Sequence, residues 1–303
     1  MINEESKKKA AFVAVVGRPS AGKSTLVNLV CGQKVSIVSK APQTTRNAIR
    51  GIVNRNAGQL VFVDTPGRHE SERKLNKKLL DVSNRSIADA EIVLYVLDAS
   101  RKPASEEEAI AEKLKPLAGQ CLAVINKTDL PGADPAPAKD FLHERLPNLP
   151  ERRIFTISAL HDSNAEAIIN ALFEMAGEGE AFYPEDYYTD QDIAFRISEI
   201  IREQAIKRLR QELPYALYVE TADTELRDEG KRLWVRAFIV MERESQKGMV
   251  VGKDGTVIKA IRQGAQKELN RIFDWKVELD LRVKTAHDWR HNDKTLRRLI
   301  DRG

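Results

Sequence analysis

The sequence is poor in cysteine: Cys31 and Cys121 are the only two in 303 residues. Each sits in an apolar run far from the other. That excludes a disulfide scaffold and predicts two free core thiols in a reducing compartment, the cytosol. Long hydrophobic runs are missing too, and nothing approaches the ~18 consecutive apolar residues of a membrane span. The opening MINEESKKKA is charged and lacks a following apolar segment with a cleavage site. The run AFVAVV is short and enters a glycine loop, so no signal peptide is read. The five histidines, His69, His143, His161, His287 and His291, show no metal-ligand spacing. That argues against a zinc centre. Repeats and low-complexity segments are absent as well.

What is present is an ordinary globular composition, with 42% hydrophobic and 31% charged residues. The length suits about two domains. The net charge of +4 is unevenly placed: from Asp192 onward there are 24 Lys and Arg against 19 Asp and Glu. All the positive excess therefore lies in the C-terminal third, which favours a polyanion partner there.

Short apolar runs at 11–17, 59–67, 91–100, 121–129 and 152–160 read as buried strands. Helical stretches at 23–32, 73–88, 104–116, 137–145 and 164–175 follow them. This alternation predicts an α/β domain over 1–176, with a mostly parallel, doubly wound sheet. Its functional loops should lie beyond the carboxyl ends of the strands. Residues 177–191, rich in glycine, proline, acids and aromatics without a period, read as a linker. Over 192–303 the order is an amphipathic helix, two strands, a helix, a second helix opened by a glycine loop, a strand and a short basic helix. That is an α+β pattern.

The sharpest local signal is VVGRPSAGKSTLVN, in which a strand feeds GxxxxGK[ST] and then a helix. Glycines let the backbone curl so that N–H groups point at phosphate oxygens, and the helix N-terminus adds its positive end. Gly17, Arg18, Pro19, Ser20, Ala21, Gly22, Lys23, Ser24 and Thr25 are the candidate phosphate-loop residues. Lys23 reaches the β- and γ-phosphates, and Ser24 offers Mg²⁺ a hard oxygen. VFVDTPG places Asp64 at a strand end, with Gly67 three residues on. The acid suits Mg²⁺ and the Gly67 N–H suits the γ-phosphate, a phosphate-sensing loop. NKTD ends another strand. The Asp129 carboxylate can accept from the N1–H and amine of guanine, a donor pair adenine lacks. Asn126 can brace the loop or meet the base, and the Lys127 stem can lie on the ring. Ser158, Ala159 and Leu160 end the next strand, where the Ala159 N–H can meet guanine O6.

These pieces, in this order, resemble the Ras-like translation-factor class of GTPases. PQTTRN resembles a switch segment of the Era branch, in which a threonine contacts Mg²⁺ and the γ-phosphate. Thr45 is the candidate, with Thr44 in reserve. Gly252-Lys253-Asp254-Gly255 opens a helix and matches the GxxG loop that admits a single-stranded sugar–phosphate backbone in KH domains. FYPEDYYTD, EIIREQ, LPYALYVE, ERESQKGMVVGKDG and VKTAHDWR extend the resemblance from about Ala11 to Arg290, to the Era family of GTPases. The resemblance implies a Ras-like G domain followed by a type II KH domain. It implies Mg²⁺-dependent GTP hydrolysis and GDP release, with Lys23, Thr45 and Gly67 acting on the γ-phosphate and Ser24, Thr45 and Asp64 holding the metal. It further implies a monomer that binds the 3′ end of small-subunit rRNA and acts in small ribosomal subunit assembly. The address it implies is the cytoplasm, with peripheral contact at the inner face of the cell membrane.

Three positions depart from the family. Asp254 puts a negative charge beside the phosphate track, Arg68 stands where an apolar residue is usual, and Ser20 replaces an asparagine that helps bind potassium in some relatives. No glutamine follows Gly67 to orient water, so intrinsic turnover should be slow. A GTP-gated RNA-binding adaptor with negligible turnover is the alternative.

Overall fold

A computed structural model describes residues 8–39, 41, 44–67, 74–161 and 164–300. Arg68 and His69 lie outside the described residues. The chain forms two compact units, Met1–Ser36 with Thr45–Asp190, and Ile37–Thr44 with Gln191–Gly303.

In the first unit β1 (Lys9–Val16) leads into α1 (Lys23–Cys31). The hairpin β2 (Ile49–Arg55) and β3 (Gly58–Asp64) follows. Then come α2 (Lys74–Ala88), β4 (Ile92–Asp98), α3 (Ser105–Leu114), β5 (Cys121–Asn126), α4 (Ala136–Arg145), β6 (Ile154–Thr156) and α5 (Ala165–Met175). The sheet order is β2-β3-β1-β4-β5-β6. All neighbours are parallel except β2 and β3. The central strands read as unbroken apolar runs because both faces are covered. Val13 and Val15 pack with Leu26, Val27, Ile168 and Leu172 of α1 and α5. Ala14 and Val16 pack with Ile110, Leu114, Ala138 and Leu142 of α3 and α4. Each such buried aliphatic side chain contributes ~1.5–3 kcal/mol of transfer free energy. Cys31 and Cys121 are free thiols, and burial pushes each up to about 12.

Two sequence expectations change here. β2 was not expected. It is antiparallel and carries Arg50, Asn54 and Arg55 among its apolar residues, which blurs a strand signal. Of residues 177–191, expected as a linker, 177–190 are instead bound to the first unit. Ala10 N–H donates to the Gly177 carbonyl at 3.1 Å, and Ile52 N–H to that of Tyr188 at 2.9 Å. Gln59 is 1% exposed and uses its whole amide. Its Oε1 accepts from the N–H groups of Phe182 (2.8 Å) and Tyr183 (3.0 Å), and its Nε2 donates to the Tyr183 carbonyl (2.8 Å) and Asn54 Oδ1 (2.8 Å). Arg50 pairs with Asp190 at 3.0 Å.

In the second unit, α6 (Ile193–Arg208), β7 (Leu217–Arg227), β8 (Arg232–Met241), α7 (Glu244–Val251), α8 (Thr256–Ile272), β9 (Lys276–Thr285) and α9 (Asp293–Ile300) follow in order. The sheet order is β7-β8-β9, with β7/β8 antiparallel and β8/β9 parallel. The parallel pair requires a crossover, which α7 and α8 supply. Ile197, Ile201, Ile261, Ala265 and Leu269 pack on Val235, Ala237 and Ile239. Asp192 caps α6 by accepting from the Phe195 N–H at 2.6 Å. Trp289 is 1% exposed and donates through Nε1 to the Ala216 carbonyl at 3.1 Å. Within this unit Val38 N–H donates to Glu203 Oε1 at 2.9 Å, and Arg202 donates to the Thr44 carbonyl.

Candidate nucleotide and nucleic-acid sites

The carboxyl ends of β1, β3, β4 and β5 in the first unit assemble one site. Between β1 and α1 the chain turns through Gly17 to Gly22. Gly22 has φ 98°, and a Cβ there would lie 2.2 Å from Asn126 Nδ2, so only glycine fits. Gly67 is equally constrained, since a Cβ would lie 2.7 Å from Pro19 Cα. The phosphate-sensing loop thus rests on the phosphate loop. Ser20 takes a left-handed φ of 62°, and Ala21 N–H donates back to the Arg18 carbonyl at 3.3 Å. Thr25 lies on α1, half-buried.

Lys23 is buried and donates to the carbonyls of Gly17 (2.9 Å) and Arg18 (3.0 Å). Burial lowers its pKa to about 8, against an opposing pull from Asp64. Asp64 is fully buried. Desolvation raises its pKa, partly offset by Ser24, Lys23, Ser36 and Thr45. Its Oδ1 has no hydrogen-bond partner among the described residues. Thr45 Oγ1 lies 3.4 Å from Asp64 Oδ2 and 2.9 Å from Ser24 Oγ. A buried carboxylate oxygen without a donor, beside two hydroxyls, is a hard-oxygen set that suits a small divalent cation. Thr44 is placed otherwise: its hydroxyl is shared by Ser39 Oγ (2.6 Å) and the Ala41 carbonyl (2.6 Å). Asn28 anchors the chain upstream, accepting from the N–H groups of Val35 and Ser36, each at 2.8 Å.

The loop after β5 sits against the phosphate loop. Asn126 donates to the Ala21 carbonyl at 3.0 Å and accepts at Oδ1 from the N–H groups of Lys127 (2.7 Å) and Ala159 (3.0 Å). Asn126 therefore braces the loop, and the Ala159 N–H expected for guanine O6 is directed at Asn126. Asp129 accepts from Ser158 Oγ at 2.6 Å, and that hydrogen bond lowers its pKa. His161 Nε2 lies 3.9 Å from the same carboxylate. Leu160 is exposed.

Sequence reading missed Asp98 and Glu107. Asp98 Oδ2 accepts from Arg18 (2.6 Å) and Lys127 (2.7 Å), and Glu107 Oε1 lies 2.7 Å from Arg18 Nε. For Asp98 the available signal was position alone, an acid at the carboxyl end of a buried strand; Glu107 lies in the first turn of α3 and carried no such signal.

In the second unit the chain between α7 and α8 turns through Gly252 (φ 76°), Asp254 (φ 53°) and Gly255 (φ 72°). Lys253 and Asp254 are exposed. Thr256 Oγ1 donates to the Lys253 carbonyl at 2.9 Å. The loop presents a basic side chain and the start of a long helix to solvent.

Residues 12–127 match a family model described as a 50S ribosome-binding GTPase, and residues 212–290 match one described as a KH domain. The GTPase Era of Treponema denticola is 50% identical over 290 residues, covering 96% of this chain and 99% of that one. The chain belongs to the Era family of GTPases. The GTPase Era of Treponema pallidum is 45% identical, covering 99% of this chain. Among solved structures, Era in complex with MgGDPNP and nucleotides 1506–1542 of 16S ribosomal RNA has a TM-score of 0.91 at 34% identity, covering 98% of this chain and 99% of that one. A variant of Aquifex aeolicus Era bound to GDP·AlF4⁻ has the same TM-score and identity, covering 97% and 99%. The chain is thus a GTPase with a Ras-like G domain and a KH domain.

Proposed function

We propose that the protein is a slow GTPase whose KH domain binds the 3′ end of small-subunit rRNA during assembly of the small ribosomal subunit. The observation that carries the nucleotide half is the buried Asp64 oxygen without a donor, between Ser24, Thr45 and Lys23. Ser24, Thr45 and Asp64 would hold Mg²⁺, which neutralises charge on the phosphates when bound. Lys23 turns from the loop carbonyls to the β- and γ-phosphates. The Gly67 N–H faces the γ-phosphate, and Asp129, aligned by Ser158, accepts from guanine. Phosphoryl transfer to water needs this positioning more than covalent chemistry. Without a water-orienting glutamine after Gly67, turnover waits on a partner.

The RNA half is supported by the relative crystallised with nucleotides 1506–1542 of 16S ribosomal RNA, by the glycine loop before α8 and by the basic C-terminal third. The monomeric state, the cytoplasmic address and peripheral membrane contact belong to the same proposal and rest on the resemblance. No helix among the described residues is long and apolar enough to cross a membrane. The test is binding of a single-stranded RNA copied from the 3′ end of small-subunit rRNA, at fixed salt, with GDP and with a non-hydrolysable GTP analogue. Tighter binding with the analogue is expected, and no binding in either state sinks the RNA half. Multiple-turnover phosphate release, with and without that RNA, separates the slow enzyme from a GTP-gated adaptor.

A further inference from the structure

Asp98 ends β4 with its side chain 2% exposed. Both of its oxygens are engaged. Oδ1 accepts from the Ser100 N–H at 2.9 Å and from Ser100 Oγ at 2.6 Å. Oδ2 accepts from Arg18 Nη2 at 2.6 Å and from Lys127 Nζ at 2.7 Å. Arg18 belongs to the phosphate loop and Lys127 to the base loop, so one oxygen atom joins the two loops that take opposite ends of a nucleotide. A second contact joins the same two loops. Asn126 Nδ2 reaches the Ala21 carbonyl at 3.0 Å. Lys127 holds a left-handed φ of 67°, which a β-carbon disfavours unless its surroundings fix it.

We propose that Asp98 is a positioning residue for the guanine nucleotide: it fixes the span between the phosphate loop and the base loop, so that the phosphates and the base are held cooperatively. The proposal rests on the reading that these two loops take the two ends of the nucleotide. The full negative charge matters, because one neutral amide oxygen cannot balance two cations in a buried site. Arg18 has a second acid in Glu107, at 2.7 Å. Lys127 is paired with Asp98, so the base loop is the end that loosens.

The test is release of a fluorescent GDP analogue, followed by stopped flow, in a cycle of Asp98→Asn and Lys127→Met. Lys127→Met keeps the stem over the base and removes the ammonium. Asp98→Asn alone should speed release by about tenfold, the loss of one charge-assisted bond. In the Lys127→Met background, where the bridge is already cut, it should speed release by about twofold or less. Equal factors in both backgrounds would mean that Asp98 merely supports the fold, and would overturn the proposal. If Asp98→Asn does not fold by circular dichroism, the exposed Ser100→Ala loosens the same carboxylate. About threefold faster release in the native background and no change with Lys127→Met is then expected, and equal factors again overturn the proposal. A Lys127→Met protein that releases the analogue at the native rate faults the base-loop reading instead.

Discussion

The two glycine loops of this protein share a local design and differ in what surrounds it. Each turns the chain through left-handed glycines into a helix N-terminus, before α1 in the first unit and before α8 in the second. The loop at Gly17–Gly22 is enclosed. Lys23 is buried, Arg18 is paired with two acids, and Asn126 crosses to its backbone. The loop at Gly252–Gly255 is open, with Lys253 and Asp254 in solvent. An enclosed loop can fix each phosphate oxygen and read one compact ligand. An open loop can only let a backbone approach, as suits a polymer whose other contacts lie elsewhere. Glycine spacing alone does not carry that distinction, which comes from Asp98, Glu107 and Asn126, supplied by later parts of the chain.

The strongest way to break the comparison is Lys23→Ala. Losing two or three charge-assisted bonds to phosphate should weaken GTP binding by ~10²–10³-fold and abolish turnover. Normal hydrolysis in phosphate-release assays would deny the first loop its role. Next is Asp129→Asn, which exchanges the acceptor pair for a mixed donor and acceptor. GTP affinity should fall by ~10²-fold while xanthosine triphosphate improves, read by competition. Unchanged GTP affinity would remove Asp129 from the base pocket.

A third effect is set by pH. Burial holds the Lys23 pKa at about 8 against an ordinary 10.5. Nucleotide phosphates raise it, so binding takes up a proton above pH 8, and affinity should fall by up to about tenfold per pH unit there. Stability of the protein alone moves oppositely. Between pH 8 and 10.5 the unfolded chain carries the Lys23 proton that the folded chain has lost, so the penalty for burying the charge is lifted as pH rises. Calorimetry in buffers of different ionisation enthalpy reads the proton uptake. An affinity flat from pH 7 to 9.5 would place Lys23 in a wetter setting.

The smallest effect belongs to the open loop. Asp254→Gly removes a left-handed φ of 53° from a residue with a β-carbon and takes a negative charge from the phosphate track. RNA binding should tighten a few-fold, within the range of an exposed charge, and the melting temperature should rise slightly. Weaker RNA binding would show that Asp254 contacts the RNA itself.

The alternation of apolar runs with helical stretches made the core sheet legible, because strands covered on both faces are unbroken runs rich in β-branched residues, too short for helices and bounded by turn residues. β2 was hidden because its arginines and asparagine interrupt the pattern. Lys23 and Asp64 were legible because their chemistry requires fixed spacings to neighbouring glycines, and Asn126 because it stands at a fixed spacing from Asp129 at a strand end. Asp98, Glu107 and Gln59 were not. Each acts through a partner far away in the chain, and only the folded sheet brings Arg18 beside Asp98 or Tyr183 beside Gln59. His161 was read as one of five isolated histidines for the same reason, although it lies 3.9 Å from Asp129.

The segment 177–190 also has a consequence for solubility. An open sheet offers two unpaired edges, each a template for joining another chain. Here the far edge, β6, has only three residues. The near edge, β2, has seven, but Tyr188 takes the Ile52 amide and Thr189 covers the Arg50 carbonyl. A first unit cut at 176 would keep every nucleotide-facing residue and lose that cover, leaving a bare strand margin ready to pair with a second copy.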